Sequence, residues 1–204
     1  MTGNLTASLD GITDLPRGHV ATIKTYLAMD RPATAPAAPA AGPVRLVRLT
    51  GAEHARYRAL FRALGTRWLW WSRLMLAEAA LQAVLDDPAV EAYALTGNGA
   101  DIGLLELDFR GGPEVDLAFL GLIDGHTGKG TGRWLMDEAK ARVWSRPGVT
   151  RLTVNTCTLD SPQALGFYRA HGFCVDRQAV EIVPDPRLTG LLPPGAAPHI
   201  PLLG

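Results

Sequence analysis

The stretch Leu117-Ala-Phe-Leu-Gly-Leu-Ile123 runs directly into Asp124-Gly-His-Thr-Gly-Lys-Gly-Thr-Gly-Arg-Trp-Leu-Met136, and the reading of this segment decides the fold. Its first part is an apolar strand. Its middle is a turn with Gly128, Gly130 and Gly132 at every second position. Its end is a helix that mixes apolar and charged residues. Glycine lacks a Cβ, so the backbone can come close to a ligand. The first N–H groups of a helix have no intrahelical partner, and the helix dipole favours negative charge beside them. Strand, glycine turn and helix start together predict an anion site. Two phosphate loops are excluded. A Walker loop needs Ser or Thr after Gly-Lys to hold magnesium. Here Gly128-Lys129 is followed by Gly130. A dinucleotide loop spaces its glycines as Gly-x-Gly-x-x-Gly after a first strand. The spacing here is Gly-x-Gly-x-Gly, deep in the chain.

Upstream, Val44–Leu49 reads as a first core strand. Thr50 and Glu53 have the spacing of a capping box. The helix that follows puts Tyr57, Leu60, Phe61 and Leu64 on one face and is expected to end at Gly65. Trp68, Trp70 and Trp71 crowd the next turn, and a second helix covers about 76–85. Val90–Leu95 and Ile102–Phe109 form a hairpin about Gly97-Asn98-Gly99. Downstream of the glycine turn, a helix over about 130–144 leads to a strand over 149–156. A short helix follows, with Ser161 as N-cap and Pro162 at its first position. Phe173–Val175 and Ala179–Val183 supply the last strands. His19–Met29 alternates and is rich in β-branched residues, which predicts an extra strand at a sheet edge. Residues 1–16 show no period. Residues 31–43, rich in Pro and Ala, read as a stiff extended linker. Residues 184–204 hold six prolines and read as an extended tail.

A second block settles the family question: Thr156-Cys-Thr-Leu-Asp-Ser-Pro-Gln-Ala-Leu-Gly-Phe-Tyr-Arg-Ala-His-Gly-Phe173. The glycine turn resembles the acyl-CoA pyrophosphate loop of the Gcn5-related N-acetyltransferase (GNAT) superfamily, Arg/Gln-x-x-Gly-x-Gly/Ala. Gly130 and Gly132 fit its glycines, while Thr127 stands at its Arg/Gln position. The second block is similar to that superfamily's Asn-x-x-Ala-x-x-x-Tyr followed by Gly-Phe. Ala164, Tyr168, Gly172 and Phe173 fit, with Ser161 at the Asn position. The two motifs stand in the expected order, one helix and one strand apart. The resemblance covers roughly residues 44–183. It implies an α/β (α+β) GNAT fold: a mixed, mostly antiparallel sheet with helices on both faces. Three segments are expected: a 1–43 N-terminal arm with the edge strand and linker, a 44–183 acetyltransferase domain, and a 184–204 tail.

The resemblance also implies transfer of an acetyl group from acetyl-CoA to a primary amine within a ternary complex, with no metal. The alternative is a CoA-binding or partner-binding module that has lost activity, which Thr127 and Ser161 would favour. By position, Leu120 and Leu122 offer backbone N–H groups to the acyl carbonyl. Thr127, Gly128, Lys129, Gly130, Thr131, Gly132 and Arg133 wrap the pyrophosphate. Asn155, Ser161 and Ala164 border the same cleft. Tyr168 stands where the family often places the acid that assists the departing thiolate. The base is left open between Asp116, Glu106 and a water-mediated route. Trp68, Trp70, Trp71 and Arg73 are candidates for the acceptor site, where aromatic rings suit a flat, apolar or cationic molecule.

Composition narrows the partners. The 204 residues carry 20 basic and 20 acidic side chains and no net charge, which argues against a nucleic-acid surface. No apolar run reaches the length of a membrane span. The start of the chain shows no basic segment followed by an apolar one, and Cys157 and Cys174 have no metal spacing, so reduced thiols in the cytoplasm are expected. A small-molecule or peptide amine is the expected partner. The N-terminal strand and the C-terminal tail are the surfaces expected to carry any homodimer.

Overall fold

The computed structural model describes residues 10–34, 37–39 and 42–204. Its elements run β1 (His19–Asp30), β2 (Val44–Leu49), α1 (His54–Gly65), α2 (Glu78–Asp86), β3 (Val90–Gly97), β4 (Ala100–Asp108) and β5 (Glu114–Leu122). Then come α3 (Thr131–Ser145), β6 (Arg151–Cys157), α4 (Ala164–Ala170) and β7 (Cys174–Pro184). The strands form one sheet in the order β2-β3-β4-β5-β6-β1-β7. All neighbours are antiparallel except β5 and β6. This is the mixed, mostly antiparallel sheet expected from the motifs.

The central strands are apolar on both faces because both faces are covered. On one side, Leu135, Met136, Ala139 and Val143 of α3 pack with Leu105, Leu107, Leu117 and Val154. On the other, Tyr57, Leu60 and Phe61 of α1 and Leu81 and Leu85 of α2 pack with Leu49, Ala92, Ala94 and Leu104. The β3–β4 hairpin turns through Asn98 (φ 51°) and Gly99 (φ 80°), both left-handed as a two-residue hairpin turn requires. The Glu53 carboxylate accepts both the N–H and the hydroxyl of Thr50, at 2.9 and 2.6 Å, ahead of α1.

Several expectations are corrected. β1 is not an edge strand: it is paired with β6 over Lys24–Asp30 and with β7 over His19–Ala28. Both of its faces are buried, Val20 and Thr22 on one and Thr25 and Leu27 on the other, as suits an interior strand. β1 is thus the second strand from one end of the sheet, between β6 and β7. The sheet ends instead at β7, a single continuous strand rather than two pieces, where Val175 and Val180 are exposed.

The C-terminal residues are not extended. Beyond β7 they fold back through turns, and Leu192, Ala196 and Ala197 bury against the α1 side of the sheet. Arg187 and Asp185 form a buried ion pair at 2.6 Å, and Arg187 also donates to the carbonyls of Ala196, Ile200 and Pro201. The short helix α4 begins at Ala164, so Ser161 and Pro162 lie in the turn before it. Gly65 is the last residue of α1 but is right-handed; the left-handed residue is Leu69 (φ 54°). A Cβ at Gly65 would lie 2.3 Å from the Trp70 Cβ, so glycine is needed there for close packing. Residues 1–9 and part of the Pro/Ala linker fall outside the described residues.

Candidate active site

The site begins with a failure of pairing. β5 and β6 meet only at Glu114–Arg151, Val115–Leu152 and Asp116–Thr153, then part. β5 also carries a bulge at Ala118, since Leu117 and Phe119 oppose the adjacent Leu107 and Glu106. A bulge bends its strand and ends regular pairing. Ile123 donates its N–H to the Ile102 carbonyl at 2.9 Å. By the alternation of a strand, the N–H groups of Leu122 and Leu120 point away from β4, toward the gap. The gap opens into a cavity of about 1080 Å3, which Leu120 and Leu122 line.

The glycine turn stands at the mouth. Gly128 (φ 76°) and Gly130 (φ 82°) are left-handed, and nothing lies within 4 Å of where their Cβ atoms would be. Gly130 caps α3, so the first N–H groups of that helix, which lack intrahelical partners, lie at the turn. Thr127, Gly128, Gly130, Gly132 and Arg133 line the cavity. Lys129 and Thr131 are not among its lining residues; Lys129 folds back to the Gly125 carbonyl at 3.0 Å. Across the gap, Asn155, Ser161 and Ala164 line the same space.

Tyr168 of α4 is buried and lines the cavity. Its ring packs edge-on against Phe167 and Phe173. Its hydroxyl has no protein hydrogen-bond partner among the described residues. Burial, and then the charges of Asp160 and Asp116, push the hydroxyl well above the ordinary tyrosine range. It is therefore a protonated group with a free donor.

The two carboxylates weighed as bases differ sharply. Glu106 is fully buried and does not line the cavity. One oxygen accepts Arg73 at 2.5 Å and the other accepts the Tyr57 hydroxyl. Asp116 accepts one hydrogen bond, from the Thr153 hydroxyl at 3.1 Å. Burial pushes its carboxyl upward against that bond, helped by the negative charges of Asp108 and Glu106. It is half-buried and is not among the residues that line the cavity.

Trp68, Trp70 and Trp71 line the cavity opposite the glycine turn. Trp70 stacks at a tilt on Phe61 and Phe119, and its indole N–H donates to Asp160 at 2.9 Å. Trp68 meets the His199 ring edge-on, so the folded-back C-terminus buttresses this wall. Arg73 is not at the cavity; it turns inward to Glu106 because that buried charge needs a partner. Sequence reasoning missed Asp160, Lys24 and Glu181, all of which line the cavity. Lys24 and Glu181 pair at 3.0 Å across β1 and β7. Only the interior position of β1 brings them there, and no local motif signals it.

The model of the acetyltransferase (GNAT) family matches residues 56–173, more than half of the chain. The chain belongs to this family. The family it belongs to is one of acetyltransferases. No curated protein matches the sequence significantly. Among solved structures, it is similar to a GCN5-related N-acetyltransferase from Kribbella flavida (15% identity, TM-score 0.54, 85% of this chain and 63% of that one). It is also similar to an acetyltransferase from Thermus thermophilus (19%, TM-score 0.54, 70% and 97%). An aminoglycoside acetyltransferase from an uncultured soil metagenomic sample, solved with sisomicin, is a third (17%, TM-score 0.54, 68% and 93%). At such identities the likeness shows the shared GNAT fold. The chain spans less than two thirds of the Kribbella protein.

Proposed function

We propose that this protein transfers the acetyl group of acetyl-CoA to a primary amine of a small molecule or peptide by direct attack within a ternary complex. The observation that carries the reading is the parting of β5 and β6, with the start of α3 and Tyr168 both lining the cavity that opens there. Acetyl-CoA supplies an acyl thioester whose carbonyl is open to a neutral amine. Its pyrophosphate fits the donors at the glycine turn and α3, with the Thr127 hydroxyl replacing the family's longer side chain. The N–H groups of Leu120 and Leu122 face the gap, where they suit a developing oxyanion. Tyr168 donates its proton or a hydrogen bond to the departing sulfur. Asp116 takes the amine's proton through a water; it keeps an oxygen free of protein donors, whereas Glu106 has both engaged. The free thiols Cys157 and Cys174 suit a reducing compartment, and the cytoplasm is the proposed location.

Acetyl-CoA is expected to raise the melting temperature, because a ligand that binds only the folded chain stabilises it, by about 2.7 kcal/mol at a hundredfold excess over Kd. Gly130→Trp is expected to abolish that rise. The left-handed backbone at Gly130 and the open space around it would send the new ring into the anion site at a cost of roughly 1–2 kcal/mol to the fold. An unchanged acetyl-CoA shift in a folded Gly130→Trp variant would remove the glycine turn from the binding site.

A further inference from the structure

Among the described residues, three carboxylates line the cavity: Asp124, Asp160 and Glu181. Two of them have cationic partners. Asp124 pairs with Arg67 at 3.3 Å, and Glu181 pairs with Lys24 at 3.0 Å. Asp160 has none. Its carboxylate is held by three neutral donors: the Trp70 indole N–H at 2.9 Å, the Thr156 hydroxyl at 3.0 Å and the Cys157 N–H at 2.9 Å. These donors come from the tryptophan wall and from the end of β6, so both sides of the cleft fix the carboxylate in place. A carboxylate without a counter-ion, beside aromatic faces in a partly desolvated cavity, is built to receive a cation.

We propose that Asp160 is the residue that selects the acceptor, binding a cationic nitrogen of the amine substrate. The substrate class is a polyamine-like or amino-bearing molecule with two basic nitrogens, one acetylated and one held by Asp160. The apolar faces of Trp70 and Trp71 cover the carbon skeleton between them. This assignment rests on the acetyl-transfer reading above and deepens it. It gives Asp160 a binding role and leaves the proton steps to Tyr168 and Asp116.

The test compares two probes that differ in one charge, 1,4-diaminobutane and 4-amino-1-butanol. Release of the CoA thiol from acetyl-CoA is measured with each. Wild-type protein is expected to favour the diamine in kcat/KM by about tenfold or more, the scale of a hydrogen-bonded charge pair. In Asp160→Asn the ratio is expected to collapse toward one. Asparagine keeps an oxygen for Trp70 and its amide can donate to the Thr156 hydroxyl, but it gives up the bond from the Cys157 N–H, so the melting temperature of the variant and its acetyl-CoA shift are measured alongside. Trp70→Phe, which removes a neutral donor but not the charge, is expected to keep the diamine preference. No preference in wild type, or a preference that survives Asp160→Asn, would overturn the proposal. Should neither probe give thiol release while acetyl-CoA still raises the melting temperature, the further rise produced by each probe in the presence of CoA answers the question by binding alone. A diamine-specific rise lost in Asp160→Asn supports Asp160 as the cation site, even with the transfer reading refuted. Equal effects of the two probes refute it.

Discussion

Replacing Tyr168 with phenylalanine is expected to lower kcat by about a hundredfold, the lower range for loss of a positioned acid, while acetyl-CoA still raises the melting temperature. The ring's contacts with Phe167 and Phe173 do not involve the hydroxyl, so the variant should fold. Tyr168 lines the cavity and its hydroxyl has no protein partner among the described residues, so loss of the hydroxyl leaves no buried group unsatisfied. Because burial and nearby carboxylates hold it above the ordinary tyrosine range, it stays protonated through neutral and mildly alkaline pH. The pH profile of wild-type kcat should therefore show no fall from this group up to the ordinary tyrosine range. A kcat within twofold of wild type in Tyr168→Phe would remove the residue from the mechanism.

The second large effect concerns stability. Arg187→Met is expected to cost about 3–5 kcal/mol, because it strands the Asp185 carboxylate in the interior. For a chain of this size that is a fall in melting temperature of roughly 10 °C. Both partners of the pair are 2% exposed, and Arg187 also serves the carbonyls of Ala196, Ile200 and Pro201. Replacing both partners, Asp185→Leu with Arg187→Met, should recover part of the loss but not all, since those carbonyls still lack their donor. The hydrogen bond from Arg187 holds the Asp185 carboxyl below its usual range. Its stabilisation is thus present above the unfolded carboxylate range and is lost as pH falls through the folded value. The gap between wild type and Arg187→Met should narrow in acid. A melting temperature within about 2 °C of wild type at neutral pH would show that the buried pair contributes little.

The local order of strands and helices was legible because each element carries its own signal. The β3–β4 hairpin has Asn98-Gly99, and the glycine turn precedes α3. What the sequence could not show are the places where distant segments meet. The alternation of His19–Met29 marks a strand, but its partners Cys157 and Ala179, opposite Lys24, lie far along the chain. That pairing puts Lys24 and Glu181 in the cavity wall. The prolines of the C-terminus suggested an extended tail because prolines break regular elements. They say nothing of the Asp185–Arg187 pair that gathers the segment against the α1 side of the sheet. Glu106 looked like a base because an acid in an apolar strand is unusual. Its partners Tyr57 and Arg73 come from α1 and the turn beyond it and occupy both of its oxygens. The glycine turn and the start of α3 were readable since they are one continuous stretch. The facing wall of the cavity was not, since Asp160 sits in a loop and gains meaning only through Trp70 and Thr156.

The most direct test of acetyl transfer follows the CoA thiol when acetyl-CoA is mixed with the protein and a panel of primary amines. Thiol release that requires both protein and amine is expected, with a matching acetamide product by mass spectrometry. Protection of the folded chain by acetyl-CoA, without thiol release on any amine, would contradict acetyl transfer and leave a CoA-binding module in its place.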